Sequence, residues 1–256
     1  MKITKLSARL LKIAQKVPQG SRLADIGSDH ALLPAYLVGN GTVPAAIAGE
    51  VNDGPLEAAR KQVGAEGLER QISVRKGDGL AVIEPNEVDV VTIAGMGGAL
   101  IVKILSAEPQ KLEGVGRLVL QPNVGEDLVR RWLLDHDWFL LDEEILEEDG
   151  KIYEILTAVR AADAQRQNAE LYGANPLPEC GISMTRERLL YMGPYLLRQG
   201  DEAFMSKWHQ ELDKLQHICR TLQRSETEDA RSKEREFRHK MKEIEEVLQC
   251  LQKDKP

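Results

Sequence analysis

Hydrophobic positions along the chain follow two periods. Leu6, Leu10, Ile13 and Val17 recur at helical spacing with basic residues between them, which predicts a helix over 2–17 stopped by Pro18 and Gly20. Short apolar runs then alternate with helical stretches. Strands are predicted over 22–26, 46–51, 72–76, 88–94 and 118–121, and helices over 31–38, 53–64, 97–106 and 125–136. The 88–94 run is almost continuously apolar, as in a strand buried on both faces. Asn52 or Asp53 can cap the helix that follows the second strand, with Pro55 in its first turn. Two further strands, 138–146 and 152–160, face each other across Asp149-Gly150 and read as a hairpin. Five strand–helix units followed by two adjacent strands specify an α/β fold, a mostly parallel sheet wrapped by helices with an antiparallel edge hairpin.

The pattern changes near residue 161. The stretch 161–180 contains Asn175-Pro176-Leu177-Pro178 and reads as a linker, and no strand pattern follows it. A short helix is expected over 183–199. Leu212, Leu215, Cys219 and Leu222, and then Phe237, Met241, Ile244, Leu248 and Leu251, form two stripes with steps of three and four, turned by the polar stretch 224–231. The expected division is a domain over 1–160 and a helical, coiled-coil-like domain over 161–256.

Charge adds distribution rather than sign. The 256 residues carry a net charge of −7, which by itself argues mildly against a nucleic-acid binder. Yet residues 1–22 hold Lys2, Lys5, Arg9, Lys12, Lys16 and Arg22 without an acid, and 230–242 is basic as well. Each patch is either a solvated helix face or a phosphate track. No apolar run reaches the length of a membrane span, and the N-terminus lacks the apolar core of a signal peptide. Cys180, Cys219 and Cys250 are few and widely spaced, so neither a metal knuckle nor a disulfide framework is expected. The expectation is a cytoplasmic monomer without metal or membrane association.

Ligands of open parallel sheets bind beyond the carboxyl ends of the strands, so the candidate chemistry lies there. The first strand ends in Asp25-Ile26-Gly27-Ser28-Asp29-His30. Gly27 allows a tight turn, but Asp29 stands where a dinucleotide site needs glycine, and an acid there repels a pyrophosphate. A cationic ligand without phosphate, such as S-adenosylmethionine, fits better. After the second strand comes Glu50, placed to accept ribose hydroxyls, followed by Val51 and Asn52. Asp78 and Gly79 follow the third strand, placed to take the adenine amino group. Ala94-Gly95-Met96-Gly97-Gly98 ends the fourth strand as nearly naked backbone. Each feature alone has a plain structural reading; together, in this order, they are far more specific.

These segments resemble class I, Rossmann-like S-adenosylmethionine-dependent methyltransferases. More narrowly, 23–34, 51–56, Ile93-Ala94-Gly95-Met96-Gly97-Gly98 and Leu120-Gln121-Pro122-Asn123 resemble the bacterial tRNA (adenine-22-N1)-methyltransferase family, TrmK. The resemblance implies S-adenosyl-L-methionine as cofactor, bound by Asp25, Gly27, Asp29, His30, Glu50, Val51, Asn52, Asp78, Gly79, Ala94 and Gly95. It implies tRNA as partner and 1-methyladenosine as product. Asp29 is the expected catalytic residue, stabilising charge on the base or accepting its proton; the alternative is a contact to the cofactor alone.

The fourth strand lacks the Pro-Pro-aromatic segment used to hold an exocyclic amine, which argues against N6 chemistry. N1 lies on the Watson–Crick edge, so the base must be unpaired or flipped out. Tyr36, Trp132, Trp138 and Tyr153 are the available rings, Trp132 and Trp138 being more in keeping with core packing. Gln121 and Asn123 can offer polar groups to the base or simply form a turn. The basic N-terminal helix and the helical hairpin are expected to grip the tRNA backbone. A methyltransferase for a small molecule or protein, a non-catalytic partner-binding module and a nicotinamide oxidoreductase are the competing readings.

Overall fold

A computed structural model describes residues 5–224 and 227–253. Seven strands form one sheet in the order β3-β2-β1-β4-β5-β7-β6. They are β1 (Leu23–Ile26), β2 (Ala46–Glu50), β3 (Ile72–Lys76), β4 (Val90–Met96), β5 (Arg117–Pro122), β6 (Trp138–Glu148) and β7 (Lys151–Arg160). The first five pair in parallel, and β7 runs antiparallel to β5. The strand order steps outward from β1 in one direction and from β4 in the other, so the connections that follow these two paired strands diverge and leave a crevice beyond their carboxyl ends. β1 and β2 are buried along their whole length, as strands covered on both faces must be.

Helices α1 (Ala8–Gln15), α2 (Leu32–Gly39), α3 (Asp53–Glu66), α4 (Gly98–Ala107) and α5 (Glu126–Asp135) belong to this part of the chain. The predicted helix over 2–17 is shorter: Ser7 caps it by accepting from the Leu10 amide, so Lys5 and Leu6 lie outside it. The part of that prediction over 1–4, with Lys2, lies outside the described residues. α3 starts where expected, but Asn52 makes no side-chain cap and instead donates to Glu50. Between β3 and β4 only a 3-10 turn, Gly79–Val82, is present in place of a full helix. The Asp149-Gly150 hairpin turn is left-handed at both residues (φ 52° and 71°), as a two-residue turn of this kind requires.

A buried ion triad lies under the outer part of the sheet. Arg130 of α5 donates through Nε to Glu143 of β6 and through Nη2 to Glu154 of β7, both at 2.5 Å, and all three side chains are buried. Removing one partner strands a charge in a dry interior, so this triad fixes which face of β6 turns inward.

The chain divides into two compact units, 1–144 with 148–170, and 145–147 with 171–256. The segment read as a linker contains a helix, α6 (Ala164–Gly173). It forms because Arg166 bridges Asp163 and Glu170 on one face, while buried Asn168 donates to the Trp138 carbonyl on the other. The second unit holds α7 (Arg186–Met192), α8 (Pro194–Gln199), α9 (Glu202–Leu222) and α10 (Glu228–Lys253). The single helix expected over 183–199 is broken at Gly193-Pro194, since Pro194 cannot continue a helix from Gly193 at φ 87°. α9 and α10 pack on each other through the predicted stripes, with Leu212, Leu215, Cys219, Ile244 and Leu248 buried. Cys180 and Cys250 are paired as a disulfide with Cα atoms 5.7 Å apart, a correction to the expectation of none. Sequence spacing hid it, because a helical return brings residues 70 apart together.

Candidate active site

The carboxyl ends of β1, β2, β3 and β4 border a cavity of about 550 Å³. Three of its acids, Asp25, Glu50 and Asp78, stand at or just beyond β1, β2 and β3, and Asp29 lies on the turn after β1. Gly27, Val51, Asn52, Gly79, Ala94 and Gly95 also line it. His30 does not line it; its ring stands outside, Nε2 3.3 Å from Asp29 Oδ1.

Backbone constraints explain the glycines. Gly27 has φ +71°, and a Cβ there would fall 2.1 Å from the Met96 methyl group. Its amide and that of Ser28 both donate to the Gly49 carbonyl, which draws the turn tight against β2. His30 and Ala31 follow with φ 57° and 51°, two successive left-handed residues that are not glycine. Such geometry costs about 1–2 kcal/mol per residue and is held only by its surroundings. The turn leaves the Asp29 side chain 80% exposed, at the rim of the cavity.

The acids differ in setting. Asp25 is buried and accepts from the Thr92 hydroxyl at 2.6 Å. Burial pushes its carboxyl above the ordinary range, against the opposing effects of that hydroxyl and of the Arg9 charge. Glu50 accepts from the Val51 and Asn52 amides through Oε1, both at 2.9 Å. Its Oε2 has no hydrogen-bond partner among the described residues, which suits a carboxylate waiting for a diol.

At the end of β4 the ladder to β5 slips between Ala94 and Met96, a bulge centred on Gly95 at φ +77°. Gln121, completely buried, braces it: Oε1 accepts from the Gly95 amide at 3.1 Å and from Arg9 Nη1 at 2.6 Å. Its amide nitrogen donates to the Pro122 carbonyl and to Asn123 Oδ1, and Asn123 Nδ2 donates to the Gly95 carbonyl at 2.8 Å. The Gln121 amide is therefore spent on the loop and is not offered to a base. Gly98 lies so close to the next turn that a Cβ would sit 2.0 Å from the Gly125 carbonyl oxygen.

Sequence reasoning did not assign Arg9, Leu100 and Ile104 to the cavity, whose lining also takes in Met96, Asn123 and Tyr153. Arg9 belonged to a basic patch, and Tyr153 was one ring among four; neither carries a local motif. The other basic residues of α1 point elsewhere: Lys16 bridges Asp142 and Glu144 at 2.6 and 2.7 Å, and Lys12 reaches Glu144 at 3.2 Å. Lys12 and Lys16 are thus paired with acids of β6, whereas Arg9 reaches the cavity. Trp132 and Trp138 are buried core, and the cavity's ring is Tyr153.

The profile of the tRNA (adenine(22)-N(1))-methyltransferase family, TrmK, matches residues 23–246. The Bacillus subtilis protein named tRNA (adenine(22)-N(1))-methyltransferase is 44% identical over 95% of this chain and 97% of its own length. The crystal structure of B. subtilis TrmK superposes with a TM-score of 0.85 at 43% identity, covering 96% of this chain and 99% of that one. The Streptococcus pneumoniae protein Sp1610, solved in complex with S-adenosyl-L-methionine, superposes with a TM-score of 0.79 at 39% identity, covering 95% and 100%. With the match running through both units of the chain, the protein belongs to the TrmK family of tRNA (adenine(22)-N(1))-methyltransferases.

Proposed function

We infer that this protein transfers a methyl group from S-adenosyl-L-methionine to N1 of adenosine 22 in tRNA. The observation that carries the reading is the row of acids at successive strand ends around one cavity, in a chain matched by the family over 23–246. The residues fit the cofactor. Asp25 would hold the ammonium, Glu50 the ribose diol and Asp78 the adenine amino group, while Gly27 and Gly79 leave room for backbone approach. When bound, the cofactor supplies an electrophilic methyl on a sulfonium.

The protein's task is then positioning and charge control. Adenine N1 attacks through its in-plane lone pair, so the base must leave its pair and enter the cavity. Tyr153 is the aromatic surface available there for stacking. Asp29, exposed at the rim beside His30, is placed to stabilise the positive charge that develops on the ring or to accept the proton of its amino group. The Gly95 bulge, braced by Gln121, presents backbone in place of a side chain where the base must approach. A tRNA substrate is in keeping with a cytoplasmic enzyme.

The reading is tested with transcripts that carry adenosine or guanosine at position 22. Transfer to the first alone supports it; equal transfer to both, or to neither while S-adenosylhomocysteine still binds, points to another substrate.

A further inference from the structure

The cavity lining has four acidic side chains, Asp25, Asp29, Glu50 and Asp78, and one basic one, Arg9. The ligand assigned above has two positive groups, a sulfonium and an ammonium, and one negative group, the amino-acid carboxylate. An acidic cavity satisfies the first two and repels the third. We propose that Arg9 holds that carboxylate, so that the N-terminal helix is part of the cofactor site.

Geometry supports the assignment. The first turn of α1 is fixed: Ser7 caps it, and Glu148 accepts from the Ala8 and Arg9 amides at 2.5 and 3.3 Å. The Arg9 side chain is half-buried, lies 5.2 Å from the Tyr153 ring centroid, and spends Nη1 on Gln121. Nε and Nη2 have no hydrogen-bond partner among the described residues, so a guanidinium edge remains for an oxygen anion. The position is right as well. Arg9 lies near Asp25 and Gly95, at the ends of β1 and β4, whereas Glu50 and Asp78 mark the nucleoside end at β2 and β3. The ammonium and carboxylate of one amino acid thus meet an acid and a base at the same end of the cavity. An unneutralised guanidinium beside a base that becomes cationic on methylation would oppose the reaction; the carboxylate removes that penalty.

The inference rests on the cofactor reading, and the test separates the two. Binding of S-adenosylhomocysteine and of its decarboxylated analogue, which keeps the ammonium and lacks only the carboxylate, is measured on the full chain and on Arg9→Met. Wild type is expected to prefer S-adenosylhomocysteine by about 10- to 100-fold, the scale of a charge-assisted contact. In Arg9→Met the preference falls to near one, while Arg9→Lys restores part of it. No preference in wild type overturns the inference and needs no variant. A preference unchanged in Arg9→Met, with both ligands weakened alike, assigns Arg9 to bracing Gln121 and overturns it too. So does a loss confined to tRNA binding with a shallower salt dependence, which assigns Arg9 to an RNA phosphate. If wild type binds neither ligand, the cofactor reading itself fails.

Discussion

Asp25 and Asp29 are four residues apart and live in different media. Asp25 is buried, with its carboxyl raised chiefly by desolvation. The native state therefore holds the proton more tightly than the unfolded chain, and stability falls as pH rises through the window above 3.8. Asp25→Asn, which keeps the acceptor for Thr92, should raise the melting temperature at neutral pH, with the gain vanishing below the unfolded value, and should abolish cofactor binding. Calorimetry at the two pH values checks the sign. Asp29 is exposed and acts on the base in this account. Asp29→Asn should lower kcat by about 100-fold with little change in S-adenosylhomocysteine affinity. A lost affinity with kcat intact at saturation would make Asp29 a cofactor ligand instead. Tyr153→Ala should raise the KM for tRNA about tenfold, the scale of one base–aromatic stack, while Tyr153→Phe stays near wild type. These roles were unequally legible. Asp29 announces itself by standing in a glycine's place, whereas Tyr153 and Arg9 reach the cavity from β7 and α1 with no motif around them.

At the scale of elements, periodicity located the five parallel strands within two residues of their ends, because each is an apolar run set off by turn residues. It misplaced what depends on partners far along the chain. The helix α6 is stabilised by Arg166, with Asp163 and Glu170 on either side, and by Asn168, whose partner carbonyl is thirty positions upstream. The cations of α1 are another case, since their acids lie on β6. Burial lowers the Lys16 value, but the hydrogen bonds it donates to Asp142 and Glu144, with their charges, outweigh it and the net shift is upward. Burial raises Glu144, and Lys16 and Lys12 outweigh that to bring it down. Their contribution is therefore present above the usual 4.5 of a glutamate and is lost as pH falls through the lowered value. At the other end it is lost as pH rises through the raised lysine value, above 10.5. Lys16→Met should lower the melting temperature between those limits, by about 1 kcal/mol of stability for a part-buried pair at the edge of the sheet, and the difference from wild type should close outside them. Lost RNA affinity with unchanged melting would instead assign Lys16 to an RNA phosphate.

For the whole molecule, the strand ends and the sheet order place four crossovers around one cavity, and the family match extends beyond that sheet to residue 246. Order of motifs along the chain was enough to indicate the crevice, since in a parallel sheet every strand delivers its carboxyl end to the same side. The disulfide was not legible, because it depends on the return of α10 towards 178–180. Closing a loop of this length restrains the unfolded chain, so protein oxidised at Cys180 and Cys250 should resist denaturant better than reduced protein, by about 2–4 kcal/mol. What defines this enzyme is the atom that it methylates. Unmodified tRNA incubated with the protein and labelled S-adenosyl-L-methionine, then digested to nucleosides, should give label in 1-methyladenosine alone, and none with Asp25→Asn. Label in 6-methyladenosine or in another nucleoside would contradict the account, as would RNA left unlabelled by protein that binds the cofactor.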